Sequence, residues 1–314
     1  MTPSKEHVLV VNEFHPETVA KLDDIYTTHH LWKLNPDEQQ DLIKDLEGRC
    51  KAVATASWMC NDLIYQLQSL EFIAAFGVGV DAIDFEATGK AGIRVSNTPD
   101  VLNDAVADLA IALILATTRN LVNADRFARS GEWQNGAFEF GTGLAGKTLG
   151  IAGLGRIGEA IVERALPFKL KIAYHNRNPK AVSYQYCASL EELATESDIL
   201  LCMLPGGQET DNVINASVLS CLGPTGIFIN VGRGNSVDEQ ALRDALTKGD
   251  IAAAGLDVYK NEPNIPADFI ELPNLVLLPH IGSATVETRR AMGNLVLSNL
   301  EAYFAGQPLL TEVT

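Results

Sequence analysis

The sequence is poor in three features: spaced cysteine motifs, long apolar runs and positive charge. Its five cysteines form no CxxC or CxH pattern, so we expect reduced thiols rather than a disulfide framework or a metal site. The longest uninterrupted apolar run, from Leu109 to Ala116, is too short to cross a bilayer. No apolar leader precedes the strand-like run Val8-Leu9-Val10-Val11, and we therefore expect a cytoplasmic protein.

The chain is strongly acidic. Its formal net charge of −16, from 24 Lys and Arg against 40 Asp and Glu, argues against nucleic acid or an anionic membrane as a partner, since both require a basic surface. An anionic ligand would meet a repulsive field. A site for such a ligand should therefore contain well-placed arginines.

The first third of the chain alternates short apolar runs with helical patterns, which predicts a parallel sheet with helices on both faces. The five strand candidates lie at Val8–Val11, Tyr26–Leu31, Ala52–Thr55, Phe72–Ala75 and Ile93–Val95. Helices are expected over Pro16–Leu22, Pro36–Leu46 and Asn61–Leu67.

The alternation restarts at Lys147 and yields six further strand candidates, enough for a complete Rossmann sheet. They lie at Thr148–Ala152, Lys171–Tyr174, Ile199–Met203, Gly226–Asn230, Ile251–Gly255 and Val276–Leu278. A long helix over Asp104–Arg119 is apolar almost all round and should be buried. A last helix, Thr285–Phe304, is expected to pack back on the first domain.

These patterns predict an α/β protein of two doubly wound parallel-sheet domains. A smaller, flavodoxin-like substrate domain is expected over residues 1–99 with 287–314. A Rossmann dinucleotide-binding domain is expected over residues 100–286.

One glycine-rich turn points to a dinucleotide. Gly153-Leu154-Gly155-Arg156-Ile157-Gly158 fits GxGxxG between a predicted strand and a predicted helix. The first glycine permits the tight turn, the second lets the backbone approach a pyrophosphate, and the third lets the helix pack on the strand. The start of the helix offers amide groups and a positive dipole end to the anion.

The end of the next strand indicates which dinucleotide is preferred. An NAD site uses Asp or Glu there to accept from the ribose 2′-hydroxyl, but no acid occurs between Lys171 and Lys180. Arg177 instead offers a forked cation for a 2′-phosphate, with Asn176 and Asn178 as donors and Lys180 as a second charge. We expect NADP to bind better than NAD, and the alternative is an ordinary basic loop.

Three later turns each place a residue that can bind or protonate a substrate after a predicted strand. Ligands bind at this end of the strands in such sheets. Arg233 follows one strand and can hold a carboxylate in a bidentate manner. His280 follows another and can donate a proton to a carbonyl oxygen that gains charge during hydride transfer. Glu262 is expected to keep that imidazole charged. This trio suits the reduction of a small anionic 2-keto acid.

Further contacts to the cofactor are expected in the same turns. Asp257 could accept from the nicotinamide carboxamide and so determine which face of the ring meets the substrate. Val231, Gly282 and His280 are also expected to contact the cofactor.

Taken together, the motifs resemble those of the D-isomer-specific 2-hydroxyacid dehydrogenase family. They occur in the family's order and are GVGVD (Gly77–Asp81), NTPDVLNDAVADLA (Asn97–Ala110), GLGRIG, NVGRG, GLDVY…EP and PHIGSAT. Within it, the sequence is most similar to the NADPH-dependent glyoxylate/hydroxypyruvate reductases and related hydroxyphenylpyruvate reductases. The resemblance implies that His280 is the acid/base, that Glu262 tunes it, and that Arg233 binds the substrate.

The resemblance also implies roles outside these turns. The GVGVD turn implies that Val78 and Gly79 present amide groups to the substrate carboxylate. The loop containing Trp58 and Met59 resembles the family's specificity loop, although Trp58 could equally be a core residue.

Family members typically form homodimers through the dinucleotide-binding domain. The segment with Phe138 and Phe140 resembles the region that reaches a partner's active site in glyoxylate/hydroxypyruvate reductases. The family often has a tryptophan there, and simple packing is the alternative for these two phenylalanines.

Two alternatives to this predicted function stay open. The first is a broader 2-keto acid or sugar-acid reductase, acting for example on hydroxyphenylpyruvate or 2-ketogluconate. The second is a non-enzymatic protein resembling the C-terminal-binding-protein corepressors, which share this fold and the Arg, Glu and His trio. The sequence shows no long disordered flanks of the kind expected for the second.

Overall fold

The computed structural model describes residues 5–313, and the chain divides into two compact units. One unit comprises the residues up to Leu102 together with those from Thr285 on, and the other comprises Asn103–Ala284. The limits expected from sequence, 1–99 with 287–314 and 100–286, differ from these by a few residues.

A six-stranded sheet forms the centre of the first unit. Numbered along the whole chain, its strands are β1 (His7–Val10), β2 (Thr27–His30), β3 (Cys50–Ala56), β4 (Phe72–Phe76), β5 (Arg94–Ser96) and β13 (Glu312–Val313). Their order is β13-β5-β4-β3-β1-β2, with β13 alone antiparallel. The five expected strands are confirmed in flavodoxin-like order, but the expectation of five in all was wrong. Strand β13 has two residues, and Glu312 is held by a bidentate contact with Arg94 at 2.7 and 2.9 Å.

Helices cover this sheet: α1 (Pro16–Ile25), α2 (Pro36–Asp45), α3 (Phe85–Ala91) and α11 (Val286–Phe304). Helix α2 begins at a capping box in which the Asn35 side chain accepts from the Glu38 amide and the Glu38 carboxylate accepts from the Asn35 amide. Helix α11 packs on the sheet, as expected, with the Tyr303 ring stacked 4.9 Å from Phe72. The expected helix at 61–67 is a 3₁₀ helix, Asp62–Gln66.

The second unit has a seven-stranded, all-parallel sheet. Its strands are β6 (Thr148–Ala152), β7 (Lys171–His175), β8 (Gln185–Tyr186), β9 (Ile199–Cys202), β10 (Ile227–Asn230), β11 (Ala253–Leu256) and β12 (Leu275–Leu277). The order β12-β11-β10-β9-β6-β7-β8 reverses direction between β6 and β9, as in a Rossmann sheet. The expectation of six strands missed β8, a two-residue strand that pairs with β7 at the edge of the sheet.

Seven helices of this unit lie within residues 103–284: α4 (Asn103–Thr118), α5 (Leu121–Arg129), α6 (Arg156–Ala165), α7 (Leu190–Thr195), α8 (Ala216–Leu222), α9 (Glu239–Lys248) and α10 (Ala267–Ile270). Helix α4 packs closely on β11, because a Cβ at Gly255 would lie 2.9 Å from the Leu113 side chain. Apolar side chains fill both faces of the sheet.

No single helix within residues 5–313 is both long enough and apolar enough to cross a membrane. Helices α4 and α5 meet these two criteria only when they are taken together, and that pair is bent by 59°.

Candidate active site

The glycine turn between β6 and α6 is shaped by close backbone contacts at two of its three glycines. Gly153 has φ +99°, and a Cβ there would lie 2.7 Å from the Met203 carbonyl oxygen. A Cβ at Gly158 would lie 2.9 Å from the Gly153 carbonyl oxygen. At Gly155, by contrast, no atom in the described part of the chain, apart from Gly155 and the two residues next to it, lies within 4 Å of that position. The second glycine therefore faces space that a pyrophosphate can occupy.

The start of α6 completes this cradle. Gly155 is the N-cap residue, and within residues 5–313 no side chain caps the helix. The first amide groups of an α-helix lack partners inside the helix and carry the positive end of its dipole. The turn thus fits a dinucleotide, with the residues from Gly153 to Gly158 around its phosphates.

The segment after β7 carries the four residues expected at the adenosine ribose. The Asn176 side chain accepts from the Leu154 amide at 2.7 Å and donates to the Leu154 carbonyl at 3.2 Å, so it braces the glycine turn. Arg177 forms an ion pair with Glu209, and both side chains are largely exposed. Asn178 is exposed, and Lys180 pairs with Glu159.

Arg233 lies on a turn that is held in place by the buried Asn230 side chain and by the close packing of Gly234. The Asn230 side chain, which is fully buried, donates to the Arg233 carbonyl at 2.9 Å and accepts from the Gly232 amide at 3.0 Å. A Cβ at Gly234 would lie 1.9 Å from the Tyr259 carbonyl carbon. The Arg233 turn is therefore packed directly on the turn that leads to Glu262.

Glu262 and His280 are in contact. One carboxylate oxygen, Oε1, accepts from the Tyr259 amide at 3.0 Å, and Oε2 lies 2.5 Å from His280 Nδ1. Burial raises the pKa of Glu262, but the His280 hydrogen bond and charge, the Tyr259 amide and the Arg233 charge together lower that pKa below its usual value. The arrangement favours an ionised Glu262 carboxylate that contacts the His280 imidazole and feels the Arg233 charge.

Asp257 shapes the turn that carries His280. Its carboxylate is 1% exposed and accepts from the Ile281 and Gly282 amides, each at 2.8 Å. Burial raises the pKa of Asp257, although the two amide hydrogen bonds and the His280 charge act in the opposite direction. The His280 amide donates to the Asp257 carbonyl at 2.9 Å, and His280 adopts φ +52°, which costs a non-glycine residue ~1–2 kcal/mol. Asp257 thus holds the turn in this conformation.

The turn expected to bind the substrate carboxylate lies in the first unit, directly after β4. The buried Thr98 hydroxyl accepts from the Gly77 amide, and the Asn97 side chain donates to the Val78 carbonyl at 2.8 Å. Val78 and Gly79 are half-buried.

Sequence reasoning did not single out Asn97, Thr98, Asn230 or Tyr259. All four are ordinary polar residues in the sequence, and their importance comes from contacts with the site turns. The Tyr259 hydroxyl, for example, donates to the Leu278 carbonyl at 2.9 Å, just before His280.

Comparison with known proteins agrees with this geometry. Residues 111–282 match the family model described as D-isomer specific 2-hydroxyacid dehydrogenase, NAD binding domain. The hydroxyphenylpyruvate reductase of Plectranthus scutellarioides is 48% identical over 276 residues, covering 88% of this chain and 87% of the relative. The glyoxylate/hydroxypyruvate reductase A of Arabidopsis thaliana is 47% identical over 278 residues, with coverage of 88% and 87%.

The chain belongs to the D-isomer-specific 2-hydroxyacid dehydrogenase family. Among solved structures it is similar to the NADPH-dependent glyoxylate/hydroxypyruvate reductase of Sinorhizobium meliloti in complex with NADP and malonate. That similarity has a TM-score of 0.91 at 41% identity and covers 99% of this chain and 97% of the other. The protein is an NAD(P)-dependent 2-hydroxyacid dehydrogenase, and the second unit is its dinucleotide-binding domain.

Proposed function

We propose that this dehydrogenase reduces a small 2-keto acid of the glyoxylate or hydroxypyruvate type and uses NADPH in preference to NADH. The observation that carries the proposal is the 2.5 Å contact between His280 and Glu262, with the Arg233 charge acting on the same carboxylate. The names of the Arabidopsis and Sinorhizobium relatives support the substrate type and the cofactor.

The residues have distinct roles in this reaction. When bound, the reduced nicotinamide supplies the hydride to the keto carbon. Because His280 Nδ1 is held by Glu262, the proton for the carbonyl oxygen comes from Nε2. Arg233 binds the substrate carboxylate in a bidentate manner. One hydride and one proton convert the keto group to the hydroxyl group, and the carboxylate is unchanged.

The same site also suits a second, broader function, that of a general 2-keto acid or sugar-acid reductase. Initial rates on glyoxylate, hydroxypyruvate, pyruvate, phenylpyruvate and 2-ketogluconate, each with NADPH and with NADH, separate the two. Highest kcat/KM on glyoxylate or hydroxypyruvate with NADPH supports the proposal. Preference for NADH, or for 2-ketogluconate, would contradict it.

The cofactor preference is proposed to depend on Arg177. A 2′-phosphate has to take the place of Glu209 on this guanidinium. Arg177→Ala should weaken NADPH binding ~10-fold or more, since hydrogen bonds to charged groups contribute ~1.5–3 kcal/mol, while NADH binding changes little. Glu209→Gln is the matched variant, because it removes the competing charge and should tighten NADPH by up to ~5-fold. Equal effects on both cofactors would contradict the assignment.

We also propose a cytoplasmic homodimer formed through the dinucleotide-binding domain. Five free thiols suit a reducing compartment. The dimer is supported by large apolar side chains of this unit that are exposed, including Val122, Trp133 at 72% and Phe140 completely. Sedimentation velocity should show a dimer that Val122→Glu with Phe140→Glu converts to a monomer. A monomeric parent protein would contradict this.

A further inference from the structure

The turn that follows β4 contains two amide groups without an acceptor. Within residues 5–313, no oxygen atom accepts from the Val78 amide or the Gly79 amide, although both residues are half-buried. Two successive N–H groups of this kind in a turn can bind an anion. They are also the two amides expected to bind the substrate carboxylate, so that role depends on the direction in which the turn holds them.

Asn97 fixes the peptide unit that carries one of these amides. Its side-chain nitrogen donates to the Val78 carbonyl at 2.8 Å. That carbonyl and the Gly79 amide belong to one planar trans peptide, in which the C=O and N–H groups point in opposite directions. The bond from Asn97 therefore fixes the direction of the Gly79 N–H as well. It also polarises the peptide, which makes that N–H a stronger donor.

Thr98 fixes the start of the same turn. Its hydroxyl accepts from the Gly77 amide, and its amide donates to the Gly77 carbonyl, each at 2.9 Å. Both polar groups of Gly77 are therefore paired inside the protein. The amides of the next two residues are the ones that the turn leaves to a ligand.

Asn97 is itself held by the segment 309–313, which follows α11. The Thr311 hydroxyl donates to the Asn97 carbonyl at 2.6 Å, and the Asn97 amide donates to the Thr311 carbonyl at 3.2 Å. Thr311 thus pairs with both backbone polar groups of Asn97, and Val78 pairs with its side chain. The position of the Asn97 side chain therefore depends on a residue that lies 214 positions later in the sequence.

Asn299 in α11 anchors Thr311 in turn. Its side chain is fully buried and makes four hydrogen bonds. The nitrogen donates to the Thr311 hydroxyl and to the Leu295 carbonyl, each at 2.9 Å. The oxygen accepts from the Leu310 amide at 3.0 Å and from the Thr311 amide at 3.2 Å. A buried polar network in which every group is paired holds its members rigidly.

We propose that Asn97 is a positioning residue that directs the Gly79 amide toward the substrate carboxylate, and that Thr311 and Asn299 hold Asn97 in place. These three residues are called the brace. The inference rests on the proposed function, because it concerns the carboxylate of the 2-keto acid. That carboxylate stays unchanged during the reaction. Loss of the brace should therefore weaken substrate binding in the ground state and the transition state alike, so that KM rises and kcat changes little.

The test is the affinity of the protein–NADPH complex for oxamate, an unreactive carboxylate analogue of a 2-keto acid, together with KM and kcat for glyoxylate. Asn97→Leu keeps the size of the side chain but removes the donor. It should raise the Kd for oxamate and the KM for glyoxylate ~10-fold or more, because a hydrogen bond to a charged group is weakened. The Kd for NADPH and kcat should change far less.

Thr311 provides a conservative pair of variants. Thr311→Val keeps the shape of the side chain and removes the hydroxyl that donates to Asn97. It should raise the same two constants ~5-fold, which is the value of one neutral hydrogen bond. Thr311→Ser keeps the hydroxyl and should retain the parent values. This pair decides the question if thermal unfolding shows that Asn97→Leu does not fold.

Glu312→Gln is the matched control. Glu312 is the residue next to Thr311, but it pairs with Arg94. The variant weakens the attachment of β13 and leaves the brace intact, because Asn299 holds Thr311 separately. Its Kd for oxamate should equal that of the parent protein.

The possible results separate the brace from the proposed function. Weaker oxamate binding in Asn97→Leu and Thr311→Val, with parental binding in Thr311→Ser and Glu312→Gln, supports the brace. Turnover of glyoxylate with a KM and an oxamate Kd that neither Asn97→Leu nor Thr311→Val changes overturns the brace alone. A loss of oxamate binding in Glu312→Gln as large as that in Thr311→Val also overturns it. A parent protein that binds oxamate but reduces no 2-keto acid contradicts the proposed function alone.

Discussion

Replacing Glu262 by Gln tests how the carboxylate acts on His280. The substitution keeps the size of the side chain and an acceptor oxygen, but it removes a negative charge that lies 2.5 Å from the imidazole. The two side chains are only 25% and 23% exposed, so solvent screens the pair incompletely. A hydrogen bond to a charged group contributes ~1.5–3 kcal/mol. If the transition state depends on this bond, its loss should slow the reaction ~10–100-fold.

The expected result is a lower kcat at neutral pH. The pKa of Glu262 is lowered, so in the parent protein the carboxylate stays ionised throughout the neutral range and the full charge is lost on substitution. At about pH 7, kcat of Glu262→Gln should therefore be ~10–100-fold below that of the parent protein.

The assay is the initial rate of NADPH oxidation at saturating 2-keto acid at about pH 7. Glu239→Gln is the control, because Glu239 accepts from the Lys260 amide at 2.9 Å close to the same turn. A Glu262→Gln enzyme whose kcat matches that of Glu239→Gln would refute the reasoning.

Three further predictions follow from the geometry. Gly155→Ala should keep the parental Tm, because the added Cβ meets no atom of a residue beyond its two neighbours within 4 Å in the described chain. It should weaken NADPH binding in a fluorescence titration, because the same Cβ enters the space proposed for the phosphates. An unchanged Kd for NADPH would contradict this. Gly153→Ala, at φ +99° and 2.7 Å from the Met203 carbonyl, should destabilise the fold by ~1–3 kcal/mol in urea unfolding, and an unchanged midpoint would argue against the strain. Burial, with the His7 charge, lowers the pKa of His29, so the unfolded chain binds a proton that the folded chain does not. Stability should therefore fall below pH 6.5 by at most ~1.4 kcal/mol per pH unit from this group, and His29→Gln should reduce that slope.

Strands could be predicted where their own residues determine them. The buried, mainly apolar runs of β1, β3, β4, β6 and β9 are each at least four residues long, which the sequence shows directly. Strands β8 and β13 have two residues each and carry no such pattern. Strand β13 depends on the contact between Arg94 and Glu312, which are 218 residues apart, and no local pattern could reveal it.

In the candidate site, too, only the features that depend on local sequence could be predicted. Arg233 and His280 could be chosen because each follows a strand with a clear pattern, and Glu262 because it lies a few residues after such a strand. For Asn176 and Asp257, residue type indicated a donor and an acceptor near the cofactor. It could not show that Asn176 bonds Leu154 or that Asp257 holds the turn of His280. Those bonds join segments distant in sequence, so they depend on the completed fold.

The most direct test of the central claim is kcat for His280→Ala at saturating 2-keto acid, with Kd for NADPH measured separately by titration. If His280 donates the proton to the carbonyl oxygen, kcat should fall ~10²–10⁴-fold, a far larger factor than any rise in the Kd for NADPH caused by the loss of a cofactor contact. A His280→Ala enzyme whose kcat remains close to that of the parent protein would contradict the account.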